Sequence, residues 1–279
     1  MRFGISTHLY HQERLTEAHL RELAACGFAE VELFASLGHF DYRSAAAHAE
    51  LASWLRNAGV RLHSVHAPIV EYVRGADWGP PLSIASADEA GRSRAVAETL
   101  AALELARTVP FDYLVVHLGV PETGSEAGLN NRAAAERSVR EVGRTARDLG
   151  VRLALELIPN ALSSPDALSR WMEEDADEGR LGLGICLDTG HAFLQGDVPD
   201  AIDLVSGELV TTHVHDNRGA SDDHLVPFEG RIDWPTTVMT LQKVGYEGVY
   251  LLELANTSTP ADVLRKTVDA RRRLAEIIA

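Results

Sequence analysis

Aliphatic and β-branched residues gather along this chain in short runs, separated by longer stretches with helical periodicity. The short runs are RFGIS (2–6), AEVEL (29–33), RLHSVHA (61–67) and DYLVVHLG (112–119), then RLALELI (152–158), GICLDT (184–189), TTHVHD (211–216) and GVYLLEL (248–254). Each predicts a strand. Between them, TEAHLRELAAC sets Leu20, Leu23 and Ala24 on one helical face, and Gly27 follows as a stop. AETLAALELARTV and AAAERSVREVGRTARDLG repeat the scheme. Pro260 opens the last helical stretch, PADVLRKTVDARRRLAEIIA, where a first-turn proline is tolerated. Eight strand-then-helix alternations imply a parallel sheet, and eight closed units make an α/β fold, a single (β/α)8 barrel spanning residues 1–279. No linker, low-complexity segment or charge block interrupts it.

The longer connections follow the third strand (68–87), the fourth (119–130) and the seventh (217–233). All three leave strands at the face where barrel enzymes place their sites. Within the first, GADWGPPLS (75–83) carries paired prolines and predicts a semi-rigid lid.

Composition narrows the class. A hydrophobic fraction of 46% with 24% charged residues is ordinary for a globular protein. The net charge of −15 disfavours nucleic acid and anionic membrane as partners. Two cysteines, Cys26 and Cys186, make no disulfide framework. MRFGISTHLY lacks the apolar run of a signal peptide, and no stretch reaches membrane-spanning length. The expectation is a soluble, cytoplasmic protein.

The chemistry sits at the strand ends. His66, His117, Glu156, Asp188, His213 and Glu253 lie near the same end of six successive strands, and a barrel gathers them into one ring. Glu156 in LALELI and Glu253 in YLLELA are carboxylates in apolar runs, costly to bury unless paired or metal-bound. A lone histidine at a strand end is usually a satisfied polar residue, but coincidence at six strands points to metal. Residues 212–230, THVHDNRGASDDHLVPFEG, add Asp222 and His224, which with His191 form a second cluster beside the ring. Mixed imidazole and carboxylate donors suit Zn, Mn, Fe or Co better than Ca or Mg. His215 shares strand parity with His213 and is read as supporting the ring from behind. His66, His117, His191 and His215 are also candidates for contacting substrate, Trp78 and Trp234 for walling the pocket, and His8 and His11 for lining it. His19, His39 and His48 read as surface or helix residues, and His63 as structural. No phosphate-binding glycine fingerprint, nucleophile elbow or CxxC pair is present.

At ALEL, CLDTGHAF, HVHDN…DDHLVPFEGRIDW and YLLEL the chain resembles the xylose isomerase-like TIM-barrel superfamily, over essentially its whole length. That superfamily includes sugar isomerases and epimerases, inosose dehydratases and the endonuclease IV family. The epimerase-type resemblance implies one divalent metal on Glu156, Asp188, His213 and Glu253, with Glu156 and Glu253 exchanging the substrate proton. The endonuclease-type resemblance implies three zincs. His66, His117 and Glu156 hold the first, Glu156 bridges to a second on Asp188, His213 and Glu253, and His191, Asp222 and His224 hold the third. All nine positions are filled. The acidic charge and HAPI, where DNA-repair members resemble HAP followed by an aromatic, oppose DNA cleavage. PFEGRIDW resembles many sugar isomerase-like members. The expectation is therefore a metal-dependent isomerase or epimerase of carbohydrate metabolism. It acts on a small sugar or sugar phosphate by proton abstraction next to a carbonyl, through an enediolate. The alternatives are a multi-zinc phosphodiesterase and a catalytically inactive sugar-binding barrel. Four ligand carboxylates carry about −4, so one divalent ion leaves about −2 and suits a neutral polyol, whereas three leave about +2 and suit a phosphate.

Overall fold

The strands of this computed structural model, which describes residues 1–75, 77–122, 128–178 and 181–277, are β1 (Arg2–Ser6), β2 (Glu30–Phe34), β3 (Arg61–His66), β4 (Val73–Arg74), β5 (Asp77–Trp78), β6 (Tyr113–Val116), β7 (Arg152–Glu156), β8 (Gly184–Asp188), β9 (Leu209–Val214) and β10 (Val249–Leu252). The helices among the described residues are α1 (Glu17–Ala25), α2 (Ala45–Ala58), α3 (Glu89–Leu103), α4 (Arg132–Asp148), α5 (Pro165–Glu178), α6 (Thr189–Gln195), α7 (Val198–Val205), α8 (Trp234–Lys243) and α9 (Pro260–Glu276). Eight strands close a barrel in the order β1-β10-β9-β8-β7-β6-β3-β2, and every barrel pairing is parallel.

The strands are mostly buried on both faces, one inside the barrel and one under helices, and so are rich in apolar residues, with polar ones gathered at their ends and inside the barrel. The helices cover them with narrow apolar stripes. In α4 the buried set is mostly small, Ala134, Ala135, Val139, Val142 and Ala146, and arginines fill the solvent side. Most helices start on a side-chain cap, for example Ser44 on α2, Asn131 on α4 and Thr259 on α9.

Two register shifts matter for the site. Between β2 and β3 the pairing passes from Val31–Leu62 to Glu32–Ser64, skipping His63. Between β8 and β9 it passes from Ile185–Leu209 to Cys186–Thr211, skipping Val210, and so brings Asp188 beside His213.

The eight strands expected from sequence are present, with ends displaced by a few residues. The connection after β3 holds an element the sequence pattern did not show, an antiparallel hairpin of β4 and β5. It carries Trp78 and forms a short ribbon extended by a Val70–Pro81 bridge. Ala76 within that lid segment and residues 123–127 in the connection after β6 lie outside the described residues. His48 lies on a helix as expected, buried on α2 with its Nε2 on the Tyr42 carbonyl, whereas His39 is buried outside any helix with its Nδ1 on the Glu13 carbonyl. No helix of the described residues is long and apolar enough to cross a membrane.

Candidate active site and metal centre

The strand-end residues converge beneath a cavity of about 640 Å³, which His66, His117, Glu156 and Glu253 line directly, with Asp188 and His213 buried behind them. His66 ends β3, Glu156 ends β7 and Asp188 ends β8, while His213 is the penultimate residue of β9; His117 and Glu253 lie just past β6 and β10. Glu156, Asp188, His213 and Glu253 are all buried and each bring a ligand atom within 4.8 Å of the others. His66, His117 and Glu156 form a second group by the same measure, and His215, His224 and Glu253 another.

Local chemistry explains why DTGH stands where it does. Asp188 closes β8 and caps α6, its Oδ1 accepting from the His191 amide at 2.7 Å. Its Oδ2 faces His215 Nε2 at 3.0 Å. The Thr189 hydroxyl donates to the His215 carbonyl at 2.8 Å and accepts from the His215 amide at 3.1 Å, tying α6 to β9. Gly190 is required by space: a Cβ there would stand 2.0 Å from His215 Cε1. His191 then spans from the Leu157 carbonyl at 3.1 Å to Asp222 Oδ2 at 3.0 Å.

The loop after β9 is built on Asp216. This fully buried carboxylate accepts from the amides of Asn217, Phe228, Arg231 and Ile232 and from Trp234 Nε1. A Cβ on Gly230 would meet its Oδ1 at 2.2 Å, so glycine is needed where the chain returns. HD and PFEGRIDW thus make one clasp, and between its halves the loop presents Asp222 and His224. His224 adopts φ 45°, a left-handed conformation unusual for a non-glycine residue. Its Nδ1 donates to the Glu253 carbonyl at 3.0 Å and its Nε2 to Asp222 Oδ2 at 3.1 Å. His191, Asp222 and His224 therefore do meet, on a single carboxylate oxygen.

The electrostatics call for cations. His213 lies between Glu156 Oε1 at Nδ1 and Glu32 Oε2 at Nε2, both 3.0 Å away. His66 lies between the Ala67 carbonyl and Glu156. With His191 and His224, four imidazoles thus face acceptors on both nitrogens and keep two protons in the absence of metal. Burial lowers the pKa of His66, but the hydrogen bond and charge of Glu156 outweigh it and hold the group at about 9. For His191 and His224 burial acts the same way, and their aspartates override it to about 10. Burial raises Glu156, but the charges of His213 and His117 bring it well below the usual carboxylate range. Burial also lowers His117.

A divalent metal fits this donor set. His117 Nε2 and His66 Nε2 crowd the buried Glu156 Oε2 at 3.0 and 3.2 Å, and His117 Nε2 has no other partner. These atoms are placed as ligands of a common ion. Buried oxygens and imidazoles in this mixture are borderline donors, matching Zn, Mn, Fe or Co.

The strongest residue that sequence reasoning missed is Glu32. It is fully buried inside the barrel and accepts from the Ser64 hydroxyl at 2.8 Å as well as facing His213. The signal was present, a carboxylate in the apolar run AEVEL, but the strand lies outside the six that end in ligands. With Glu32 the carboxylates number five, giving −5. One divalent ion then leaves −3 and three leave +1, each one unit below the count without Glu32. His8 and His11 do line the cavity, stacked at 4.6 Å between ring centroids, with Trp78 beyond them, 5.1 Å from His11. Trp234 corrects an expectation: it is buried at the start of α8 on Asp216 and Phe228 and does not line the cavity, because the clasp needs its indole N–H. His215 is buried behind Asp188 and His224, and it too is absent from the cavity wall.

Comparison with known proteins gives the family. An uncharacterized protein of Methanocaldococcus jannaschii is 27% identical over 264 residues, covering 92% of this chain and 84% of that protein. The crystal structure of a D-tagatose 3-epimerase-like protein superposes with a TM-score of 0.78 at 26% identity, over 100% of this chain and 97% of that one. The structure of an IOLI protein with a bound zinc atom shares the fold, with a TM-score of 0.75 at 17% identity, over 99% and 98% of the two chains. The family model for the xylose isomerase-like TIM barrel matches residues 20–274, and the chain belongs to that family.

Proposed function

We propose that this protein is a divalent-metal-dependent isomerase or epimerase of a sugar, working by proton transfer at the carbon next to a carbonyl. The observation that carries the reading is the convergence of Glu156, Asp188, His213 and Glu253, all buried, with Glu156 and Glu253 opening onto a cavity large enough for a sugar. The likeness to a D-tagatose 3-epimerase-like protein supports it.

A cation held by these four residues supplies Lewis acidity that acidifies the carbon beside a carbonyl. Asp188 and His213 serve as fixed supports: the first is tied to α6 and His215, the second to Glu32. Glu156 and Glu253 flank His213 Nδ1 at 3.0 and 3.3 Å and line the cavity, so their carboxylates act as the proton acceptor and donor on the two sides of the substrate. His8 and His11 bind hydroxyl groups, and the floor excludes bulk water. Incubating metal-loaded enzyme with a ketose panel in deuterated water tests this. A substrate gains deuterium beside its carbonyl, and the gain vanishes in Glu156→Gln and in Glu253→Gln.

A second reading has its own observation, the extra groups His66–His117–Glu156 and His191–Asp222–His224. Several metals there would suit phosphodiester hydrolysis. Three metals per chain with cleavage of abasic DNA and no sugar exchange would establish it.

A further inference from the structure

The walls of the cavity differ in character from its floor. Above the ring, Ile69, Val70 and Pro81 come from the connection after β3, and Val120, Pro121 and Leu129 from the one after β6. None of these six is fully buried. Trp78 stands with them, 41% exposed and one of four exposed large hydrophobic residues among those described. Apolar surface left open to water around the mouth of a cavity marks where a ligand covers it.

The second observation is one of charge. No lysine or arginine lines the cavity among the described residues, and neither Ala76 nor the TGSEA of 123–127 supplies one. Phosphate monoesters are gripped by arginine, lysine or free helix N-termini. The helix that starts at this floor, α6, has its N-terminus occupied by Asp188. Arg43, Arg74 and Arg94 line a separate pocket, where Arg43 pairs with Glu98 and Arg94 with Glu71.

The third observation is size. About 640 Å³ lies within the range of roughly 300–1,000 Å³ that holds drug-sized ligands. A free monosaccharide on the floor leaves the apolar mouth uncovered. Nearer the floor, His8 and His11 each have Nδ1 on a backbone carbonyl, of Leu254 at 3.1 Å and of His8 at 2.7 Å. Their Nε2 atoms are thereby left as acceptors for ring hydroxyls.

We infer that the substrate is an uncharged sugar bearing an apolar substituent, its ring on the metal floor and the substituent against Ile69, Val120, Leu129 and Trp78, and not a sugar phosphate. This rests on the isomerase reading above and specifies its substrate class. The test uses ketohexoses in matched triplets, the free sugar, its 6-phosphate and its 6-O-benzyl ether, with metal-loaded enzyme in deuterated water. The benzyl ether should exchange with kcat/KM about tenfold or more above the free sugar, the effect of burying a phenyl-sized group. The phosphate should be no better than the free sugar. Ile69→Ala with Leu129→Ala should narrow the gap between ether and parent. Exchange that favours the phosphate, or an ether no better than its parent, overturns the inference while leaving the isomerase reading intact. If no compound exchanges, the isomerase reading fails. Calorimetric binding of the same triplets then decides the pocket's preference separately: tightest binding of the ether upholds it and tightest binding of the phosphate overturns it.

Discussion

His213 shows how a single side chain is fixed for its task. Its Nε2 faces Glu32, so its Nδ1 is the atom turned toward Glu156 and Glu253. A carboxylate behind a ligating imidazole sets its tautomer and raises its basicity, and such partners are worth about 10–100-fold in metal affinity. Glu32→Gln keeps an acceptor for the imidazole but removes the charge. It should weaken binding of Co(II) by about that factor and shift the visible spectrum of the cobalt protein, while circular dichroism stays unchanged. Unaltered cobalt affinity and spectrum would show that Glu32 only fills space. At this scale the sequence was readable where a carboxylate or imidazole ended an apolar run, as at Glu156, Asp188 and Glu253. It was not readable at Glu32, because its meaning depends on a register shift that turns it inward beside Ser64. Trp234 misled for a related reason: an indole in a loop on the active face looks like a pocket wall until its N–H is seen on Asp216.

Among the elements, the loop after β9 is irregular and is ordered by side chains. Its five contacts on Asp216 are hydrogen bonds to a buried carboxylate, of the kind worth about 1.5–3 kcal/mol each before their mutual dependence is counted. In Asp216→Ala the amides of Phe228 and Ile232 lose their acceptor, and that of Arg231 is left with the Asn217 carbonyl alone. Hydrogen exchange across 217–233 should rise by at least about tenfold, the barrel strands should stay protected, and thermal stability should fall. Protection unchanged in the loop would mean that the Asp216–Leu225 bridge alone holds it. Strand number and order of type were legible from periodicity, since parallel barrel strands are short and apolar. The hairpin of β4 and β5 was not, because two-residue strands have no period to read and Arg74, Asp77 and Trp78 resemble any exposed loop.

For the whole molecule, the proposed function sets protons and metal ions in competition for one acidic centre. His66 near 9 and His191 and His224 near 10 lie above their unfolded value, so their pairing stabilises the metal-free fold fully below about pH 6.5 and is lost as pH rises through about 9 to 10. A metal held as proposed takes the place of the proton on His213 Nδ1 and competes with the His66 proton for Glu156. Adding Zn or Mn to chelator-stripped protein at pH 7 should therefore release protons, and affinity should climb with pH toward about 9. The melting temperature of stripped protein should drop between about pH 8 and 10, while that of metal-loaded protein holds. Proton-neutral binding at pH 7, measured by calorimetry in buffers of different ionisation heat, would contradict this account. The gathering of charge was legible from the sequence as a ring; its protonated resting form was not, because it depends on which acceptor each imidazole nitrogen meets. Asp188 carries a consequence for how such a barrel changes over descent. It caps α6 and, on the proposed function, also holds the metal, and asparagine or serine can keep the cap while giving up that second role. A lineage can therefore lose catalysis at this position in one step without losing its fold, and folded relatives with Asn or Ser here are the expected remnants of barrels that bind sugars and no longer transform them.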